Sequence, residues 1–158
     1  MIEAEYRYSL TRQWSDVPKT AVFIMLNPST ADAEFDDRTI VKCTKFAASH
    51  GCGRMEIVNL FAFRATKPSD LKQAHTEGRN IIGQKNDEYL TRAVRGADII
   101  FLACGNHGKL GGRYQEVLRL FEKAGLKHKV YCLALSKEGF PKHPLYLNRA
   151  ERAKRLDK

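Results

Sequence analysis

The sequence lacks the long apolar stretches that would place the protein in or across a membrane. No apolar run approaches the roughly 20 residues that a membrane-spanning helix needs. The N-terminus carries Glu3 and Glu5 and has none of the apolar core typical of a signal peptide. These absences predict a soluble, cytoplasmic protein with no membrane partner.

Cysteine is sparse, and its spacing fits no metal motif. The four cysteines, Cys43, Cys52, Cys104 and Cys132, form no CxxC pair, and Cys104 and Cys132 lie within apolar runs. Because a zinc site needs clustered ligands, the sequence predicts no metal site and no other cofactor. The cysteines are expected to be reduced thiols that pack as small hydrophobic side chains.

Signatures of three large enzyme classes are also missing. No nucleophile elbow of the GxSxG type is present, which argues against a Ser-His-Asp hydrolase. The chain also has no phosphate-binding loop and no dinucleotide fingerprint, since Gly51-Cys52-Gly53 precedes a predicted strand and does not open a helix.

Acidic residues are outnumbered by basic ones. The 27 Lys and Arg residues against 18 Asp and Glu give a formal net charge of +9. Such an excess favours a polyanionic partner, of which nucleic acid is the commonest. Residues 149–158 are strongly basic and are predicted to be a C-terminal tail, which either contacts nucleic acid or is a solvated helix end.

Strand-like apolar runs alternate with amphipathic helical patterns along residues 1–148, which suit a single domain. Strands are predicted over 6–10, 21–26, 55–61, 98–104 and 130–135, helices over 36–50, 86–95 and 114–123, and a polar loop over 66–84. The spacing fits right-handed crossovers. It predicts a three-layer α/β/α domain with a mainly parallel central sheet.

Polar residues follow each predicted buried strand. In an open α/β sheet, ligands bind at the carboxyl ends of the strands, so these residues are expected to meet in one cleft. Neutral amides and histidines suit a planar, hydrogen-bonding ligand such as a nucleobase. The candidates are Asn27 and Ser29 after the first strand, Asn59 and Arg64 after the second, Gly105, Asn106 and His107 after the third, and the segment 139–146 with Lys142 and His143 after the last.

Several segments resemble the family known as domain of unknown function 1643. They are Leu26–Asp32, Asn59–Thr66, Asn86-Asp87 and His143–Tyr146. The order of motifs is also similar, more distantly, to the uracil-DNA glycosylase superfamily. The shared features are Asn27-Pro28, Asn59 at a strand end, Gly105 after an apolar strand, and His143-Pro144.

The second resemblance implies a glycosylase-like fold and hydrolysis of an N-glycosidic bond in DNA or in a nucleotide. Asn27 would orient water, Asn59 would hydrogen-bond the base edge, and His143 would stabilise negative charge on the departing base. Phe35 or Phe61 would stack on the base.

Charged and loop residues would contact the rest of such a ligand. Arg64 would bind nucleic-acid phosphate, and the amides around His107 would bind a phosphate group. Two other functions stay open at this point. One is a non-catalytic nucleic-acid or nucleotide binding module. The other is a metal-dependent phosphohydrolase that uses Asp36 and Asp37. The sequence indicates no oligomeric state.

Overall fold

The computed structural model describes residues 2–3, 5–29, 38–132, 135–143 and 154–155. Some of the residues predicted from sequence lie outside the described residues. They are Phe35, Asp36 and Asp37, and residues 144–146, which follow His143 in its predicted motif.

Eight short strands and four helices make up the described fold. The strands are β1 (Ile2–Glu3), β2 (Tyr6–Arg7), β3 (Leu10–Gln13), β4 (Thr20–Met25), β5 (Arg54–Asn59), β6 (Ile99–Leu102), β7 (Val130–Cys132) and β8 (Lys154–Arg155). The helices are α1 (Arg38–Ser49), α2 (Pro68–Thr76), α3 (Asn86–Gly96) and α4 (Arg113–Lys123). A 3-10 segment, Asn106–Gly112, joins β6 to α4.

The central sheet has the strand order β3-β5-β4-β6-β7-β8. β4 runs parallel to β5 and β6, and β7 runs parallel to β6, whereas β3 and β8 pair antiparallel at the two edges. The prediction of an α/β fold is confirmed, and the sheet is mixed. Its last strand, β8, belongs to the segment predicted as a basic tail.

Both faces of the central strands are covered, which explains their nearly continuous apolar sequence. Because successive side chains of a strand point to opposite faces, β4 contributes Phe23 to one core and Ile24 to the other. Phe23 shares its core with α1, and Ile24 shares its core with α2, α3 and α4. The sheet therefore separates one helix from three.

Helix α2 lies within the segment predicted as a polar loop, so that prediction was wrong there. Pro68 begins the helix, where its missing N–H needs no partner, and Asp70 lies in the first turn, where a negative charge is favourable. Leu71 and Ala74 are buried in the core. None of the described helices is long and apolar enough to cross a lipid bilayer.

Candidate functional site

A cleft of about 620 Å³ opens at the carboxyl ends of β4, β5 and β6. Part of its lining is apolar and belongs to the core beneath α1: Leu10, Met25, Ile40 and Ile57. An apolar wall with a few polar groups is the usual composition of a small-molecule site.

Six of the residues predicted from sequence line this cleft. They are Asn27, Ser29, Asn59, Gly105, His107 and His143. Arg64 does not line it, although the next residue, Ala65, does. The Arg64 side chain is half-buried. Phe61 does not line it either, because its ring is 2% exposed in the core shared with α2, α3 and α4. The structure therefore corrects the prediction that Phe61 stacks on a ligand.

Asn59 is the last residue of β5 and lies opposite Met25 in the β4–β5 register. Its side chain follows Met55 and Ile57 along the strand face that α1 covers. The residue is only 3% exposed, yet it lines the cleft, and its side-chain amide has no hydrogen-bond partner among the described residues. The amide atoms therefore open into the cleft, where a ligand or water can pair with them.

Asn27 uses its side chain differently. Nδ2 donates to the backbone carbonyl oxygens of Ala65 at 2.9 Å and Pro28 at 3.0 Å, and it lies 3.4 Å from the carbonyl oxygen of Phe63. This clamp ties the end of β4 to the segment after β5. The carbonyl oxygen Oδ1 accepts no hydrogen bond from any described residue, which leaves Asn27 as an acceptor at the cleft.

The backbone beneath Asn59 is held by a second clamp. Asn86 Nδ2 donates to the carbonyl oxygens of Asn59 at 2.9 Å and Leu60 at 3.0 Å. Arg113, 1% exposed, donates from Nε to the Leu60 oxygen at 2.8 Å and forms ion pairs with Asp87 and Glu116. These groups fix the end of β5, and with it the direction of the Asn59 amide.

Two loops meet at the opposite end of the cleft. The N–H of Gly105 donates to the carbonyl oxygen of Pro141 at 2.7 Å, and Ser136 Oγ donates to Asn106 Oδ1. Gly105 has φ of 74°, a left-handed conformation that glycine adopts without steric cost. These contacts bring the segment after β7, with Lys142 and His143, to the cleft.

The described residues that line the cleft carry charges of one sign. Arg7 and Lys142 are cationic, and no Asp or Glu occurs among the described residues that line it. Asn106 and Lys142, which the sequence also places after the third and last strands, line the cleft as well. Sequence reasoning missed Arg7 and Ser136, although a charged residue between Tyr6 and Tyr8 in a predicted strand was a usable signal for Arg7. The described lining favours an anionic ligand.

Cys104 also lines the cleft, with its thiol buried. Burial raises the pKa of its thiol to about 12, so the thiol stays protonated at neutral pH. Within the described ranges, no three His, Cys, Asp or Glu side chains are placed to hold a metal ion.

The fold and the cleft define an α/β protein with a polar site at the carboxyl ends of parallel strands. The chain belongs to the family of proteins of unknown function designated DUF1643, whose model matches residues 7–145. This match confirms the first resemblance predicted from the sequence. Neither a curated protein nor a solved structure matches the chain.

Proposed function

We propose that the cleft binds a nucleobase, in a nucleic acid or in a nucleotide, and hydrolyses its N-glycosidic bond. The observation that carries this proposal is the Asn59 side-chain amide, which opens into the cleft without a partner among the described residues, beside an apolar wall. An amide offers a donor and an acceptor in one plane, which matches the hydrogen-bonding edge of a base.

The apolar residues next to Asn59 support the same ligand. Met25 and Ile57 provide an apolar surface for the flat face of a base, and the Asn59 amide provides hydrogen bonds for the polar edge of that base. A site that hydrogen-bonds one edge discriminates strongly against a ligand that leaves the amide unpaired.

Asn27 is the residue proposed to orient the attacking water. Its Nδ2 is fixed by backbone carbonyl oxygens, so Oδ1 is a preorganised acceptor for one water O–H. Because an amide is not a strong base, bond cleavage would depend mainly on stabilising the departing base anion. His143 and the cationic surroundings of the cleft are proposed to supply that stabilisation.

The resemblance to the uracil-DNA glycosylase superfamily stays a prediction and supports the proposal through the order of its motifs. The parallel run β5-β4-β6-β7, with helices on both faces, is compatible with the three-layer, mainly parallel sheet that this resemblance implies.

Base binding without hydrolysis is the second candidate function. It is favoured by the absence of any carboxylate general base among the described residues of the cleft, and by the protonated Cys104. The phosphohydrolase alternative depends on Asp36 and Asp37, which lie outside the described residues.

One experiment distinguishes the two candidates. Oligonucleotides with modified and damaged bases, and the matching nucleotides, are incubated with the protein, and released base is measured by mass spectrometry. Release by wild type but not by Asn27→Ala supports hydrolysis. Base-selective binding without release supports the binding module. Absence of both contradicts the proposed function.

A further inference from the structure

The order of the strands sets the order of the lining residues along the cleft. Asn59 ends β5, Asn27 follows β4, Asn106 and His107 follow β6, and His143 follows β7. Adjacent strands are about 4.8 Å apart, so the three intervals from β5 to β7 span about 14 Å. This is of the order of the length of a nucleotide from its base edge to its phosphate.

The chemistry changes along this direction. The β5–β4 half has the unpartnered Asn59 amide beside Met25 and Ile57, and the largely buried Arg7, whose backbone N–H donates to Ala62, lies at this end. The β6–β7 half has polar and basic groups, with Lys142 half-buried and without an ion-pair partner in the described part of the chain. A lysine so placed provides a positive charge for an anion.

Asn106 adds a hydrogen-bond donor to the β6–β7 half. Its Oδ1 accepts from Ser136 Oγ, and this contact leaves Nδ2 as a donor with no acceptor among the described residues. Asn106 and Ser136 both line the cleft, and the orientation of the amide is fixed by their hydrogen bond. A neutral donor beside a cation is a suitable pair for phosphate oxygens.

We infer that the β6–β7 half of the cleft binds the phosphate carried by the sugar of the same base, through Lys142 and the Asn106 side-chain amide. This inference rests on the proposed function for the position of the base. The phosphate is either the monoester of a free nucleotide or a phosphodiester of a nucleic acid, since both present the same oxygens.

Calorimetric titration of the full chain tests the inference. The ligands are the common nucleosides, their 5′-monophosphates, inorganic phosphate and a short single-stranded oligonucleotide. For the preferred base, the monophosphate is expected to bind at least about tenfold more tightly than the nucleoside. Inorganic phosphate is expected to compete with the monophosphate and not with the nucleoside.

Two variants and a matched control locate the effect. Lys142→Ala and Asn106→Asp are expected to bring the monophosphate to within about twofold of the nucleoside. Lys123→Ala removes an equal charge from the exposed surface of α4 and is expected to keep the difference. Circular dichroism checks that each variant is folded.

The oligonucleotide identifies the source of the phosphate. If Lys142→Ala weakens oligonucleotide binding more than Lys123→Ala does, while nucleosides and monophosphates bind equally, the ligand is a phosphodiester. If the monophosphate shows the difference, a free nucleotide is sufficient.

The inference and the proposed function fail separately. Nucleosides that bind with base preference, with no added affinity from any phosphate, overturn the inference and leave the proposed function standing. Lys142-dependent binding of inorganic phosphate without binding of any base overturns the proposed function, and with it the assignment of the phosphate to a nucleotide, and leaves only an anion site at Lys142. Absence of all binding overturns both.

Discussion

The Asn86 side-chain amide donates to the backbone carbonyl oxygen of Asn59 at 2.9 Å, so one asparagine positions another. The acceptor is the main chain of Asn59, and the Asn59 side chain stays unpartnered among the described residues. The same Asn86 Nδ2 holds Leu60, whose carbonyl oxygen also accepts from Arg113. The backbone of Asn59 is thus fixed by hydrogen bonds, while its side-chain amide stays open to the cleft.

Asn59→Leu is expected to stabilise the protein while base binding is lost. The substitution replaces an amide that no described residue satisfies by an apolar side chain of similar size, and it extends the apolar surface of Met25 and Ile57. We expect the free energy of unfolding to rise by about 1 kcal/mol. Urea denaturation measures the stability, and calorimetry measures the binding. A less stable variant would mean that Asn59 has a structural role.

Asn27→Leu is the matched comparison and is expected to have the opposite effect on stability. It removes the donor that two backbone carbonyl oxygens use at 2.9 and 3.0 Å. We expect the free energy of unfolding, measured by urea denaturation, to fall by about 2 kcal/mol. Equal stability of Asn27→Leu and wild type would show that the hydrogen bonds of Asn27 Nδ2 do not stabilise the fold.

Asn27→Ala tests the proposed catalytic role separately. If Oδ1 orients the attacking water, turnover is expected to fall about 100-fold while base affinity changes little. Single-turnover rates and binding are measured under conditions where the variant is folded. Equal losses in binding and turnover would place Asn27 in ground-state binding alone.

Asn86→Ala is expected to lower both stability and base discrimination. The carbonyl oxygen of Asn59 loses its side-chain donor and that of Leu60 keeps only the one from Arg113, at a cost of about 1–2 kcal/mol. Glu88→Ala on the same helix is the control, because its ion pair with Arg92 is exposed and contributes at most about 1 kcal/mol. Urea denaturation and binding to a panel of nucleosides are the measurements. Unchanged base preference in a folded Asn86→Ala protein would contradict a positioning role.

Cys104 is expected to make stability depend on alkaline pH. Burial raises the pKa of its thiol from 9.0 to about 12, so the folded state keeps a proton that the unfolded state loses. This contribution is complete below pH 9.0 and is lost as the pH rises towards about 12. Cys104→Ala is expected to show a flatter decline in its urea midpoint above pH 9.0 than wild type. A decline as steep as that of wild type would assign the alkaline loss to other groups.

Residue identity and position in a strand predicted that polar strand-end residues would line one cleft, but not how its asparagines differ. Pro28 and the polar residues after each apolar run indicate strand ends, and parallel strands bring those ends together. Asn27 and Asn59 look alike in the sequence. They differ because the segment after β5 passes beside β4 and places carbonyl oxygens around Asn27 alone.

Other features depended on contacts that local patterns do not encode. Phe61 directly follows a strand end, and only its packing places it in the core and not in the cleft. Lys142 lies at the cleft because the N–H of Gly105 donates to the carbonyl oxygen of Pro141, which comes 36 residues later in the chain. Helix α2 was missed because Pro68 reads as a loop residue, although proline is also favoured in the first turn of a helix.

The unequal division of apolar side chains between the two faces of the sheet has a consequence for protein engineering. The larger core, with three helices, lies on one face, whereas Leu10, Met25, Ile40 and Ile57 of the smaller core also line the cleft. A library that varies these four positions reshapes the ligand pocket and leaves the larger core intact as a reserve of stability. The fold is therefore a suitable starting point for laboratory evolution of new ligand selectivity.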